Sequence, residues 1–337
     1  MSYSVRIEST NHIFQANEGE SILDAALRQS INLPYGCRGG ACGACKGQVL
    51  EGDVAYEDGL PAGLSEEDYN KGFALFCKAI PQGDVIIKSK EISGSEEIEV
   101  KILPCRVHEK IQLNHDVVLI KLVLPKTERL QFFAGQYINF LLKNGKHRSF
   151  SLANAPHDDE FVELHIRHIP DGKFTGEVFD EMKEKDMMRI EGPLGSFYLR
   201  EESKRPIILM AGGTGFAPIK GMIEHALKIG IERPIHLYWG VRAKEDLYMD
   251  ELAKSWTKQN PLIRYTPVLS EQKAEDNWSG RTGFVHSAIM EDYPDLSKHE
   301  IYGSGAPAMV YAGRDEFVKN GLDLDHYYSD AFEYQKD

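Results

Sequence analysis

The chain predicts three parts in series: a small unit of short strands and one helix around a cysteine loop, then an antiparallel β-barrel, then a parallel α/β sheet. Three observations carry that expectation. Cys37, Cys42 and Cys45 stand at C-x4-C-x2-C spacing, with Cys77 following in FALFCKAI. Between about Lys101 and Leu199, runs rich in β-branched and aromatic residues are separated by turn residues. From about Lys204 onward strand-like runs alternate with helical ones, the pattern of a parallel sheet covered by helices.

The first part spans residues 1–90. Ser21 and Asp24 form a Ser-x-x-Asp helix start, and Ile22, Ala25, Ala26 and Gln29 follow at helical spacing, with the helix ending near Asn32 before Pro34. Alternating segments at Val5 to Ile7, Lys46 to Leu50 and Asp84 to Ile87 read as strands. The cysteine spacing is the plant-type ligand pattern of a [2Fe-2S] cluster, with three thiolates from one loop and the fourth, Cys77, from a later strand. Gly36, Gly39, Gly40 and Gly43 suit a loop whose backbone comes close to inorganic sulfide, and small Ala41 and Ala44 leave room for N–H groups to face the sulfurs. Structural zinc takes paired short spacings, which only Cys42 and Cys45 form here, with no suitable histidine nearby. A disulfide framework would add little to a long chain poor in cysteine. A few strands, one helix and this loop point to a β-grasp ferredoxin shape. EISGSEEIEV, residues 91–100, sets Glu91, Glu96, Glu97 and Glu99 around Gly94 and reads as a solvated linker.

Residues 101–203 form the barrel, with strands at Asp116 to Leu124, Gln136 to Leu142 and Phe161 to His168 and turns at Lys143-Asn144-Gly145 and Pro170-Asp171-Gly172. Within it stands Arg148-Ser149-Phe150-Ser151-Leu152. An arginine fork suits a phosphate, an aromatic suits a flat ring and a hydroxyl suits a ring nitrogen. Gly172-Lys173-Phe174-Thr175 opens a helix expected to reach about Lys185, and its N-terminus offers N–H groups to a pyrophosphate. In residues 204–337 the apolar run Ile207 to Ala211 leads into GGTGFAP, and Ile219, Ile223, Ala226 and Leu227 then recur at helical spacing. Ile235 to Trp239, Asp246 to Trp256, Ile263 to Leu269 and Glu300 to Tyr302 continue the alternation. Gly213-Thr214-Gly215 falls at the first strand's carboxyl end, where such sheets place ligands. Pro218 stands where the dinucleotide fingerprint has its third glycine.

Composition sets limits. With 42% hydrophobic and 27% charged residues in 337, the chain is an ordinary globular protein. Its start, MSYSVRIEST, lacks a signal-peptide pattern and no run approaches the ~18 apolar residues of a membrane span, so a cytoplasmic protein without a membrane partner is expected. A net charge of −13 argues against nucleic acid; it suits solubility and docking to a basic protein face. Cys105 has no evident mate and reads as a small buried residue.

Taken together these residues resemble a plant-type ferredoxin domain fused ahead of a ferredoxin–NAD(P)H reductase module, over nearly the whole chain. That family carries R-x-[FY]-S, G-x-x-[ST] and G-T-G-x-A-P motifs, present here as Arg148/Phe150/Ser151, Gly172/Thr175 and Gly213/Thr214/Gly215/Ala217/Pro218. The resemblance implies that Phe150 lies along a flavin ring, Ser151 approaches its N5 and Arg148 pairs with a phosphate, with Leu152, Lys173 and Phe174 flanking the cofactor. Leu164-His165-Ile166-Arg167 matches the family strand beside the pyrophosphate and adenosine, which favours FAD over FMN. Where the family often has C-G-x-P-x-M near the nicotinamide, this chain has Ser304, Gly305, Pro307 and Met309. Tyr328-Ser329-Asp330-Ala331-Phe332 resembles the tail of reductases serving a deoxyhexulose dehydrase, the CDP-6-deoxy-glucoseen reductases. Phe332 is either a cover for the other flavin face or a core aromatic.

The implied function is an electron-transfer reductase. A nicotinamide gives up two electrons as hydride and a [2Fe-2S] cluster accepts one at a time, so flavin must stand between them. The acceptor is then another protein, a sugar dehydrase or an oxygenase component, docking near the cysteine loop. A flavin or ferric reductase with an accessory ferredoxin domain, and a redox-sensing module supported by Ser304 and Ala306, are the alternatives. Arg242 and Lys244 suit the 2′-phosphate of NADPH, whereas Glu245 and Asp246 suit the ribose hydroxyls of NADH; the tail resemblance leans toward NADH.

Overall fold

The computed structural model describes residues 2–41, 43–89 and 98–332. Two compact units divide the chain, Met1–Glu99 and Val100–Asp337. The expected linker lies mostly outside the described residues.

In the first unit, alternation along SYSVRI buries Val5 and Ile7 and gives β1 (Ser2–Ile7), which pairs antiparallel with β2 (Ile13–Asn17). The helix α1 (Ile22–Arg28) starts where Ser21 Oγ accepts the Asp24 N–H at 3.1 Å, and it buries Ile22, Leu23, Ala25 and Ala26. It stops short of Asn32 because Ser30 takes a positive φ of 59° and Ile31 N–H returns to the Ala26 carbonyl. Then come β3 (Lys46–Glu51), β4 (Val54–Ala55), α2 (Glu66–Asn70), β5 (Phe73–Leu75), β6 (Ile80–Pro81) and β7 (Val85–Lys88). The sheet order is β2-β1-β7-β3-β5 with β1 and β7 parallel, which together with α1 is a β-grasp.

The second unit opens with β8 (Lys101–Gln112), β9 (Val117–Val123), β10 (Tyr137–Leu141), β11 (His147–Ser151), β12 (Val162–Arg167), α3 (Lys173–Asp180) and β13 (Met187–Leu194). These strands pair antiparallel in the order β11-β10-β13-β8-β9-β12, and a bridge between Leu152 and Leu164 closes the ends into a barrel. Its interior holds Val118, Ile120, Phe140, Leu164 and Ile166. The helix α3 ends at Asp180, short of Lys185, where Glu181 and Met182 N–H both return to the Glu177 carbonyl at 2.9 and 2.8 Å, and Lys185 takes φ 77° on the way into β13.

The remainder comprises β14 (Ile207–Gly212), a 3-10 turn at Gly213–Gly215, α4 (Phe216–Ile229), β15 (Ile235–Val241), α5 (Asp250–Gln259), β16 (Ile263–Leu269), β17 (Arg281–Thr282), α6 (Val285–Asp292), β18 (Glu300–Gly305), α7 (Pro307–Lys319) and β19 (Tyr327–Ala331). All six strands run parallel in the order β17-β16-β15-β14-β18-β19. The helical run expected from Asp246 is split: Lys244–Asp246 is a 3-10 turn, and α5 begins at Asp250. Buried charges join this sheet to the barrel. Lys220 Nζ on α4 lies 3.0 Å from Glu163 Oε1 on β12 and donates to the Ala153 carbonyl. Burial pushes the Glu163 carboxyl up, yet His165 and Lys220 outweigh it and hold the group at about 2. No helix among the described residues is long and apolar enough to cross a membrane.

Candidate functional site

The cysteine loop is built from both ends of the first unit. Cys45 lies in the turn before β3, and Cys77 lies in the turn after β5 rather than in a strand, because Lys78 and Ala79 N–H both close on the Leu75 carbonyl. The start of α1 clamps that turn: Ile22 N–H donates to Ala79 and Leu23 N–H to Phe76, each at 2.9 Å. Cys45 and Cys77 are buried and Cys37 is half-buried. A hydrogen bond from Cys45 holds the Cys77 thiol below the ordinary thiol range against the opposing effect of burial, with the Gly40 N–H adding to it. Gly39 N–H donates to Cys37 Sγ at 3.3 Å. Gly40 has φ 83°, and a Cβ there would sit 2.9 Å from Lys78 Cγ and 3.1 Å from Pro61 Cβ, so the position needs glycine twice over. Cys42 lies outside the described residues. Converging sulfurs that receive backbone N–H groups are the donor set of an iron–sulfur cluster, and this site fits one.

A second group of residues stands where β11 leaves the barrel. Phe150 is half-buried against Phe140 and Phe174, with ring centroids 5.8 and 5.7 Å away. Ser151 Oγ donates to Asp330 Oδ2 of β19 at 2.8 Å, across 179 residues of chain. Arg148 is half-buried and donates to the His147 carbonyl. Gly172 begins α3 without a side-chain cap; a Cβ there would lie 2.8 Å from Thr175 Oγ, which itself accepts the Ile169 N–H. An uncapped helix start holding Lys173 and Thr175, an arginine, a half-buried aromatic face and an oriented hydroxyl fit a flavin dinucleotide. Three expected contacts are narrower than the motif suggests. Leu152, Ile166 and Phe174 bury their side chains in the barrel, so only their backbone groups are left for a cofactor. His165 faces away from the barrel interior: Nδ1 lies 3.1 Å from Tyr248 Oη, and burial lowers the ring's pKa against the opposing pull of Glu163.

The third group lies at the carboxyl ends of β14 and β18, which are pressed together. A Cβ on Gly215 would fall 2.1 Å from the Ser304 carbonyl oxygen, and one on Gly212 would fall 2.5 Å from Met309 Sδ. Gly305, at φ 138°, leaves no room either, with the Gly212 oxygen 2.7 Å from its would-be Cβ. Gly213 takes φ 53°, and its carbonyl, beside Thr214, accepts the Trp239 indole N–H at 2.9 Å. Pro218 sits in the first turn of α4, where a missing N–H breaks no bond within the helix, so proline serves without the third glycine. Ser304 is fully buried, and its Oγ has no hydrogen-bond partner among the described residues. Phe332 is half-buried just past β19, with its N–H on the Gly305 carbonyl at 2.8 Å. Crowded glycines, an orphaned buried hydroxyl and a helix start fit a dinucleotide. Arg242 is not an isolated cation: it lies 3.5 Å from both Asp116 and Asp246. Motif reading missed Asp330, Asp116 and Trp239, each of which reaches its partner only through the fold.

Comparison with known proteins follows the same division. Residues 5–82 match the model of the 2Fe-2S iron-sulfur cluster binding domain, residues 104–198 the oxidoreductase FAD-binding domain and residues 209–315 the oxidoreductase NAD-binding domain. The chain is 39% identical over 332 residues to the CDP-6-deoxy-L-threo-D-glycero-4-hexulose-3-dehydrase reductase of Yersinia pestis, covering 98% of this chain and 99% of that protein. It is 32% identical to terephthalate 1,2-dioxygenase reductase component 1 of a Comamonas species, covering 98% of each. Among solved structures, the Amycolatopsis cytochrome P450 reductase GcoB superposes with a TM-score of 0.79 at 33% identity, over 98% of each chain.

Proposed function

We infer the acceptor and the residue roles from one premise: the chain belongs to the iron–sulfur flavoprotein reductases that join a 2Fe-2S domain to FAD- and NAD-binding domains. It is an oxidoreductase that passes electrons from a nicotinamide nucleotide through FAD and a [2Fe-2S] cluster to a partner protein. The acceptor in our reading is a dehydrase acting on a CDP-6-deoxyhexulose, docking near the cysteine loop, and the nucleotide is NADH. The setting is the cytoplasm, where thiolate ligands and Cys105 stay reduced. The dehydrase is carried by one observation, 39% identity spread over the full length of a reductase named for that partner.

Cys37, Cys42, Cys45 and Cys77 hold the cluster in this reading. Arg148, Lys173 and the start of α3 hold the FAD pyrophosphate, Phe150 and Phe332 flank the ring, and Gly213 to Gly215 with Gly305 and Met309 receive the nicotinamide half. When bound, FAD would supply a centre able to hold one or two electrons and the cluster a one-electron carrier. The polypeptide supplies position and proton handling. Ser151 donates its hydroxyl hydrogen bond to Asp330, which turns the oxygen's lone pairs toward whatever N–H the site presents. Asp330 is half-buried, so a proton handed to that carboxylate has a way out to water. The Ser304 backbone makes the close approach of β18 to Gly215, and its buried hydroxyl stands where the family often has a thiol.

Reconstitution tests the acceptor. The holoprotein, NADH and a CDP-6-deoxyhexulose 3-dehydrase with its sugar substrate are expected to give NADH-dependent loss of that substrate. A terephthalate dioxygenase oxygenase component in its place is expected to turn over far more slowly. Turnover with the oxygenase and none with the dehydrase would hand the assignment to an aromatic oxygenase partner.

A further inference from the structure

The seam between the barrel and the α/β sheet, at the carboxyl end of β15, carries a cluster of charges that the electron-transfer reading leaves unused. Asn114 Oδ1 accepts the N–H groups of Asp116 at 3.1 Å and Val117 at 2.8 Å, so the start of β9 is a fixed turn. From the same turn Asn114 Nδ2 donates across the seam to the Glu245 carbonyl at 3.2 Å. Asp116 then receives two arginines on one oxygen: Arg167 Nε of β12 at 2.7 Å and Arg242 Nη2, just past β15, at 3.5 Å. Asp246 lies 3.5 Å from the same Arg242, and His115 lies within 3.7 Å of both carboxylates.

The two arginines point in useful directions. Arg167 Nη1 is 3.3 Å from where a Cβ on Gly213 would be, so it overhangs the glycine turn at the start of α4. Arg242 follows the second strand of the parallel sheet, where dinucleotide folds place the adenosine ribose. A line from Arg167 to Arg242 therefore runs along the path of a dinucleotide from pyrophosphate to ribose, and Asp116 touches both ends of it. The two carboxylates could also suggest a cation site, but two guanidinium groups already neutralise them.

Charge then decides which dinucleotide fits. Arg242 is shared by two carboxylates, Lys273 is held by Glu245 at 2.8 Å, and Lys244 donates to the Asp276 carbonyl. A 2′-phosphate brings about two further negative charges. At this edge it meets Asp116 and Asp246 and a cation that both already occupy.

We propose that Asp116 is a positioning and specificity-determining residue for the nicotinamide nucleotide: it orients Arg167 and Arg242 along the dinucleotide and, with Asp246, selects NADH against NADPH. The inference rests on the NADH reading given above. It is tested in the full-length holoprotein by NADH and NADPH kinetics with ferricyanide, for the wild type, Asp116→Asn and Asp116→Glu, with FAD content and thermal midpoint measured for each. Asp116→Asn is expected to raise KM for NADH about tenfold with kcat within twofold, and to lower the NADH/NADPH ratio of kcat/KM at least tenfold; Asp116→Glu is expected to restore most of both. Inhibition by AMP should weaken and inhibition by 2′,5′-ADP strengthen in Asp116→Asn, a readout that a general loss of packing would not move in opposite directions. An unchanged coenzyme ratio in Asp116→Asn overturns the inference alone. A wild type that prefers NADPH overturns the NADH reading with it.

Discussion

Gly215→Ala is the sharpest probe of how the nicotinamide end is built. Gly215 has φ −58° and ψ −12°, a backbone conformation that alanine adopts freely, so the effect of a methyl group is steric alone. That methyl would lie 2.1 Å from the Ser304 oxygen and 2.4 Å from its carbonyl carbon, both backbone atoms of a fully buried strand. Ordinary carbon–oxygen contact is about 3.3 Å, so α4 and β18 must part by about 1 Å. Overpacking of this kind costs roughly 1–3 kcal/mol of stability. A misplacement of about 1 Å between reacting groups costs on the order of 100-fold in rate. The expected outcome is a fall of about that size in kcat/KM for NADH with ferricyanide, in protein that keeps its flavin absorbance and its dithionite-reduced cluster signal. A variant within twofold of wild type, with an unchanged thermal midpoint, would show that the close approach of Gly215 to Ser304 does not shape the nicotinamide site.

Three further outcomes follow from single contacts. A hydrogen bond to a carboxylate is worth about 1.5–3 kcal/mol, so Ser151→Ala should lower kcat roughly 10- to 100-fold with FAD content intact, and adding Asp330→Asn should cost little more because the two act as one unit; additive losses in stopped-flow flavin reduction would break the link. His236 is buried between Tyr293 and Thr266, and burial holds its pKa down at about 4. The folded chain keeps it neutral while the unfolded chain binds a proton below about pH 6.5, so its contribution of up to about 3 kcal/mol is present at neutral pH and lost as pH falls from 6.5 toward 4; His236→Gln should flatten the thermal midpoint against pH in that window, and parallel curves would count against it. Burial pushes the Cys105 thiol up to about 12, so iodoacetamide at pH 8 should label it only in denaturant, as read by peptide mass, and labelling of the folded protein would refute its burial.

Much of the fold was legible because each part announces itself by a different period. Alternation in SYSVRI and β-branched runs such as DVVLIKLVL mark strands of opposite burial, and GGTGFAP marks a strand-to-helix turn. Helix ends were less legible. Both α1 and α3 stop short of the expected residue, at places where an N–H returns five positions, Ile31 to the Ala26 carbonyl and Met182 to the Glu177 carbonyl. No side-chain periodicity reports that event, since it is the returning N–H bonds to Ala26 and Glu177 that stabilise it. The Cys77 turn is illegible for the same reason, as the helix that clamps it lies far upstream.

The site divides along a similar line. Residues that bind through local geometry, such as Gly39 and Gly40 around the thiols or Gly172 at the start of α3, can be read from spacing because their partners are a few positions away. Residues that act through a distant partner cannot. Asp330 stands two residues before Phe332 in the quoted tail, yet only the pairing of β19 with β18, which sets Asp330 opposite Ser304, delivers its carboxylate to Ser151. Arg242 shows the more general point. Cations and acids share the stretch from Arg242 to Asp246, so charge counting there gives no preference between a phosphate and a hydroxyl. Asp116, on whose ion pairs with Arg242 and Arg167 we propose that the balance turns, comes from the barrel and is therefore invisible to any reading confined to the nucleotide-binding segment. On the proposal that Asp116 selects the coenzyme, the choice is made at the seam between barrel and sheet, and Asp116→Asn should alter it without touching a residue of the glycine turn.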